Sequence, residues 1–166
     1  MISVLIPTFN YDITKLVENI HQQLENSRLK YELIACDDCS TNQSTVESNK
    51  QINNLSNCKF IQNAKNLGRT ATRQKLAKTA QFDLLLFMDA DVEVSKDFIN
   101  KFNVQNQTAD IIFGGTAYLK EKPQKKEVLN WKYGKNREVK SIKERQKTPY
   151  LSIISRGFII KKKIFL

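Results

Sequence analysis

The sequence predicts an α/β fold: a doubly wound, mostly parallel sheet with flanking helices. Apolar runs recur along the chain and are continuous rather than alternating, as in strands buried on both faces. They are "SVLIP" (3–7), "YELIAC" (31–36), "KFI" (59–61), "DLLLFM" (83–88) and "DIIFGG" (110–115). Segments of helical character lie between them, and strand–helix–strand alternation implies right-handed crossovers. At 166 residues, 40% hydrophobic and 27% charged, the chain is long enough to bury a core and has the composition of a soluble globular domain.

Each element has its own signal. In 12–27, Ile13, Leu16, Val17, Ile20 and Leu24 fall on one helical face, with Asp12 as the expected N-cap. The polar stretch 42–55 is weakly periodic and is assigned as helix. A basic helix is expected over 68–80, after Gly68, and another over 95–103, opening at Ser95 and burying Phe98, Ile99 and Phe102. From 120 to 149 the pattern reads as a long basic loop with one short helix. Strand character returns after Tyr150 and runs into a helix at Ile164-Phe165-Leu166, so the chain is expected to be a truncated piece of a longer one.

Charge divides the chain. Residues 1–119 hold 12 Lys/Arg and 13 Asp/Glu, a net of −1, whereas 120–163 hold 15 and 4, a net of +11. The basic segment suits a polyanion, a phosphate-bearing or lipid-linked acceptor, or an acidic membrane surface, and equally suits a solvated loop. Beyond Trp131-Lys132-Tyr133 there is no basic–aromatic interleaving, so nucleic acid is not an expected partner. Three cysteines argue against a disulfide framework. Cys36-x-x-Cys39, with Cys58 and His21, lacks the spacing of a second ligand pair for zinc, and Cys36 reads as a buried small hydrophobe. The N-terminus shows neither a basic leader nor a cleavage site, so a cytoplasmic location is expected, peripheral at the inner face of the membrane if the basic segment binds lipid.

The chemistry concentrates at strand ends. "LLLFMDADVEV" (84–94) runs five apolar residues into Asp89-Ala90-Asp91, and two carboxylates there lose hydration unless a positive charge compensates them. Thr8-Phe9-Asn10 follows the first strand, and Asp37-Asp38-Cys39-Ser40 follows the second. In doubly wound sheets ligands bind outside these carboxyl ends, where strand order reverses. Alternate residues on extended chain share a side, so Asp89 and Asp91 are placed to face one divalent cation carrying a diphosphate. Bland readings stand beside this one. Asp91 suits a helix cap, Asp37-Asp38 an Asx turn, Phe9 the core, and Arg69 with Arg73 a solvated helix face rather than an anion site.

Taken together, "SVLIPTFNY", "LIACDDCSTN", "NLGRTATRQKLAKTA" and "LLLFMDADVEV" resemble glycosyltransferase family 2, in order and spacing, over roughly residues 2–115. The resemblance implies a GT-A fold and an inverting transferase that uses a nucleotide-diphosphate sugar, UDP-linked by family habit, with Mn²⁺ or Mg²⁺. Carried over by position, Pro7, Thr8 and Phe9 would line the base, Phe9 by stacking. Asp38 would hydrogen-bond the base, and Arg73 would face the nucleotide, with Thr72 and Gln74 replacing its usual neighbours. Asp89 would lie near ribose and metal, and Asp91 would ligate the metal. Cys39 stands where Gly or another small residue is common, a departure expected to be harmless. The resemblance places the catalytic base on an acidic motif after the segment resembling "SRGFIIKKKIF". No Asp or Glu follows Glu144, so the base is expected beyond Leu166. Residues 1–119 would form the donor-binding part, and 120–166 the basic loop and start of the acceptor side of the same domain.

Two other classes are open. An apolar run ending in D-x-D-x-V also resembles the nucleophile motif of haloacid-dehalogenase-like phosphatases. That motif normally sits on the first strand and precedes its partner Asp pair; here it is on the fourth and follows one. A non-enzymatic basic binding module is the second, with salt-dependent polyanion binding as its signature.

Overall fold

A computed structural model describes residues 1–102, 109–118, 121 and 128–166. The chain divides into two compact units, Met1–Ile112 with Arg156–Leu166, and Phe113–Ser155.

In the first unit the elements follow in order: β1 (Ile2–Thr8), α1 (Thr14–Glu25), β2 (Tyr31–Asp37), α2 (Gln43–Lys50), β3 (Cys58–Gln62), α3 (Arg69–Thr79), β4 (Leu84–Met88), α4 (Phe98–Lys101) and β5, which starts at Ile111 and runs to Phe113. After the second unit, the chain adds β6 (Gly157–Lys161) and a last turn of helix, α7 (Lys162–Phe165). The sheet order is β3-β2-β1-β4-β6-β5. β1 pairs in parallel with β2 and β4, β2 with β3, and β6 lies antiparallel on β4. The expected α/β architecture is observed, and strand order reverses between β1 and β4.

Alternation along the strands sorts the core into two layers. Ile2, Val4 and Ile6 of β1 and Leu33 and Ala35 of β2 join Leu16, Val17, Ile20 and Leu24 of α1, Val46 of α2 and Ile99 of α4. Leu5, Ile34, Leu85 and Phe87 point the other way and are also buried, on the face where α3 packs on β1 and β2. Each such side chain contributes roughly 1.5–3 kcal/mol by leaving water.

The ends of the helices depart from expectation in instructive ways. Asp12 sits one residue outside the N-cap of α1, yet its Oδ1 still accepts the Thr14 N–H at 2.9 Å. The Ile13 N–H is taken instead by buried Asn49, whose Nδ2 donates to the Tyr11 carbonyl, both at 2.9 Å. The polar stretch 42–55 forms α2, capped by Asn42, and a 3₁₀ turn. The helix expected from 95 to 103 is a single turn, with residue 103 outside the described set. Ser95 turns onto Asp97, Ile99 is buried, and Phe98 and Phe102 pair edge-to-face at 4.8 Å while half-buried.

In the second unit the expected basic loop with one helix is corrected. Within its described residues there are two helices, α5 (Val128–Arg137) and α6 (Ile142–Lys147), and a 3₁₀ turn (Pro149–Ser152). Ser141 and Glu144 form a capping box that starts α6. Gly134 of α5 lies so close to Tyr118 that an added Cβ would stand 2.0 Å from its hydroxyl, so glycine there lets the ring approach the helix. The sequence boundary expected at 119/120 falls on residues outside those described. Among the described residues, no helix is long and apolar enough to cross a membrane.

Asn49→Ala removes two hydrogen bonds and leaves the buried Ile13 N–H without its acceptor, a cost of about 2–3 kcal/mol. The expected result is a lowered urea midpoint with an unchanged slope.

Candidate functional site

The β1–β4 ladder stops early. It runs from Ser3↔Leu85 to Leu5↔Phe87, although β1 continues to Thr8. The Ile2 N–H bonds Lys30 and the Thr8 carbonyl accepts from Asp38, so even-numbered residues of β1 turn their backbone groups toward β2. Odd-numbered residues therefore turn toward β4, and Pro7 has no N–H to offer there. The two central strands part, and a crevice of about 280 Å³ opens between their carboxyl ends.

Of the seven residues expected to form a site, Pro7, Thr8, Phe9, Asp38, Asp89 and Asp91 line this crevice. Arg73 does not; it lies behind Asp89. Tyr11, Arg69, Thr72 and Ala90 complete the lining. Phe9 and Tyr11 are about half exposed at its rim. Tyr11 was not singled out by the sequence, although "TFNYD" spaces its ring two residues from Phe9.

The loops at the crevice hold one another. Asn10, at φ 52, accepts the N–H groups of Thr41 and Asn42 at 2.9 and 3.0 Å, while its own N–H donates to Ser40 at 2.7 Å. Asp37 accepts both the N–H and the hydroxyl of Ser40, three residues on rather than the two of an Asx turn, and so closes the chain after β2. Between them Cys39 adopts φ 65. That conformation explains why glycine suits the position. It also corrects the expectation of a harmless substitution, because a side chain there costs about 1–2 kcal/mol.

Asp38 is buried, and its carboxylate accepts Asn63 Nδ2 (2.7 Å), the Leu67 N–H (2.9 Å) and the Gly68 N–H (2.8 Å). Burial raises its pKa, but the bonds from Leu67, Asn63, Thr72 and Gly68 outweigh it and hold the group below the usual carboxylate range. Asp38 thus fixes the loop that enters α3 through Gly68, at φ 81. Asn63, a residue no motif flagged, also donates to Thr72 (3.1 Å) and accepts Lys75 (2.6 Å), joining β2, β3 and α3.

The two carboxylates after β4 differ. Asp89 Oδ1 accepts Arg73 Nη2 at 2.6 Å, and Oδ2 lies 3.4 Å from Arg69 Nη1. The Arg73 guanidinium is buried over the rings of Phe87 (5.9 Å) and Phe158 (5.5 Å). Desolvation lowers its pKa against the opposing pull of Asp89. The compensating charge expected to be a divalent cation is, for Asp89, this arginine pair. Asp91 is exposed, and no hydrogen bond or ion pair to it is found among the described residues. Nor, among those residues, do three or more His, Cys, Asp or Glu gather into a metal-holding cluster. Cys36 is buried as expected, and burial pushes its thiol up to about 11.

The crevice lies at a topological switch point, rimmed by aromatic rings and floored by carboxylates, the position at which doubly wound α/β proteins bind ligands. The chain belongs to glycosyl transferase family 2, whose sequence pattern it matches over residues 3–165. It is 32% identical over 112 residues to the poly(ribitol-phosphate) β-N-acetylglucosaminyltransferase TarS of Staphylococcus aureus, a match covering 66% of this chain and 18% of TarS. The crystal structure of S. aureus TarS 1–349 with UDP superposes with a TM-score of 0.56 at 26% identity, over 73% of this chain and 38% of that one. The fold also matches the mannosyltransferase PcManGT of Pyrobaculum calidifontis, in complex with GDP-Man and Mn²⁺. There the TM-score is 0.61 at 17% identity, over 98% of this chain and 45% of that one. The chain thus spans less than half the length of each of these relatives. Family membership leaves the phosphatase alternative without support, and Asp89, bound by Arg73, is poorly placed as a nucleophile.

Asp38 contributes stability above its unfolded pKa, near 3.9, which is lost as pH falls through the lower folded value. Asp38→Asn is expected to cost about 1–3 kcal/mol at pH 7. The gap to wild type should narrow below about pH 4, as read from urea unfolding across pH.

Proposed function

We propose that this chain carries the donor site of a transferase that moves a sugar from a nucleoside diphosphate, UDP, to an acceptor hydroxyl with inversion. The observation that carries the reading is Asp91, an uncompensated carboxylate beside ion-paired Asp89 in a crevice rimmed by Phe9 and Tyr11. TarS, whose structure with UDP shares this fold at 26% identity, supports the choice of nucleotide.

Phe9 stacks on the base, with Pro7 and Thr8 beneath it, and Asp38 meets the base with the lone pairs its three N–H partners leave open. Arg73 acts through Asp89, fixing that carboxylate near the ribose. Asp91, with Asp89, offers the hard oxygen ligands that suit Mn²⁺ or Mg²⁺, which complete their shell with water and phosphate. When bound, the ion supplies Lewis-acid stabilisation of the diphosphate leaving group. No residue of this chain is assigned as base: the last carboxylate, Glu144, is committed to the capping box with Ser141. Residues 1–112 and 156–166 carry the donor side in this reading, and the basic segment serves a saccharide or lipid-linked acceptor.

Titrating UDP calorimetrically with and without Mn²⁺ tests the donor site. Metal-dependent binding, weakened at least about tenfold in Asp91→Asn, is expected. Failure of UDP and the other nucleoside diphosphates to bind a folded sample overturns the reading.

For the acceptor side, the second unit suits peripheral contact with an anionic membrane. It exposes Leu129, Tyr133, Ile142, Tyr150 and Leu151 among lysines and arginines, a combination of apolar anchors and positive charge. Vesicles containing phosphatidylserine should sediment the chain, and replacing Lys132, Lys135, Lys143 and Lys147 with Gln should release it. Equal sedimentation of both proteins rejects this contact.

A further inference from the structure

The two arginines that share Asp89 are not equivalent. Arg73 is buried against Phe87 and Phe158, and its contact with Asp89 is short, at 2.6 Å. Arg69, four residues earlier and at the first position of α3, leaves 63% of its side chain in solvent and reaches Asp89 only at 3.4 Å. We infer that Arg69 is the diphosphate-binding cation of the crevice: it leaves Asp89 and pairs with the phosphate oxygens of an entering nucleoside diphosphate. The inference rests on the donor-site reading above.

Three physical arguments converge. The first is release. Asp89 stays neutralised by Arg73 when Arg69 departs, and a long, solvent-exposed ion pair is weak, so little holds Arg69 in place. The second is charge balance. Among the described lining residues Arg69 is the one basic side chain, facing Asp38, Asp89 and Asp91. Asp38 is satisfied by N–H donors and Asp89 by Arg73, which leaves Asp91 to add its charge to the diphosphate. A divalent ion offsets two of the resulting negative charges, and a further cation is needed beside it. The third is shape. A guanidinium presents N–H donors in a planar fork that meets two phosphate oxygens at once, and the side chain is long and free enough to turn.

Asp89 gains by the exchange as well. With Arg69 withdrawn, its Oδ2 faces the crevice and joins Asp91 as an oxygen donor. Arg69 therefore covers this oxygen in the free protein and uncovers it as the donor enters, coupling phosphate recognition to assembly of the acidic pair.

The test compares wild type, Arg69→Gln and Arg69→Lys. UDP binding is followed by calorimetry with Mn²⁺ present, and uridine binding by saturation-transfer NMR, with thermal midpoints confirming the fold. Arg69→Gln is expected to weaken UDP about tenfold or more while leaving uridine unchanged, and Arg69→Lys to recover part of the loss. UDP affinity within about twofold of wild type in Arg69→Gln overturns the inference, and so does an equal loss for uridine and UDP, the mark of a structural role. If wild type binds neither UDP nor any other nucleoside diphosphate, the donor-site reading falls and takes this one with it. A loss confined to the variant's UDP binding supports both.

Discussion

A carboxylate at the end of a buried strand loses hydration, and in this fold the Arg73 guanidinium restores what burial removes from Asp89. The rest of the crevice depends on that pair. Arg73 reaches Asp89 only because α3 starts where it does, and α3 starts there because Asp38 gathers the Leu67 and Gly68 N–H groups. Asp38 in turn is braced by Asn63 at the end of β3. Three strand ends, those of β2, β3 and β4, and one helix are thereby tied through four polar side chains. Removing one partner of such a buried pair typically costs about 3–5 kcal/mol, much of it the penalty for the charge left behind. The same tie leaves Asp91 outside the network, and a carboxylate with no protein partner among the described residues is the one ready for a ligand.

The opening in the sheet has an equally local cause. A central strand normally spends every N–H on its neighbours. Pro7 has none to spend, at the last of the odd-numbered positions where β1 turns its backbone toward β4. The residue that disrupts the ladder also forms part of the crevice wall, so the cost in hydrogen bonding and the gain in binding surface come from the same ring.

The sheet is legible because burial on both faces writes unbroken apolar runs in β1, β2 and β4, while β3, at the sheet edge with only Phe60 buried, shows just the short run Phe60-Ile61. The crevice is legible because polar residues directly after those runs have few structural uses. Other features were invisible for identifiable reasons. Asn49 and Asn63 lie far in sequence from the groups they satisfy, so no local pattern marks them. Arg73 and Arg69 look alike on a helical wheel, and the rings of Phe87 and Phe158, the second contributed from β6, bury the one while the other stays exposed. The second unit reads as a loop because Leu129 and Tyr133, one i, i+4 pair on α5 with Trp131 on the opposite face, make too short a stripe to stand out against so much charge. The capping box at Ser141 and Glu144 was the available sign of helix, four residues beyond the end of α5.

β6 makes the first unit discontinuous along the chain. The strand that completes the first unit, pairing Leu84 with Lys161 and Met88 with Gly157, arrives only after the whole of 113–155 has been made. Closing so distant a contact carries an entropic charge that rises only as the logarithm of the intervening length, about 0.6 kcal/mol for each doubling. The first unit therefore tolerates large changes in the size and composition of what is inserted between β5 and β6. A scaffold of this kind can keep the crevice at its strand ends while selection rewrites the inserted segment.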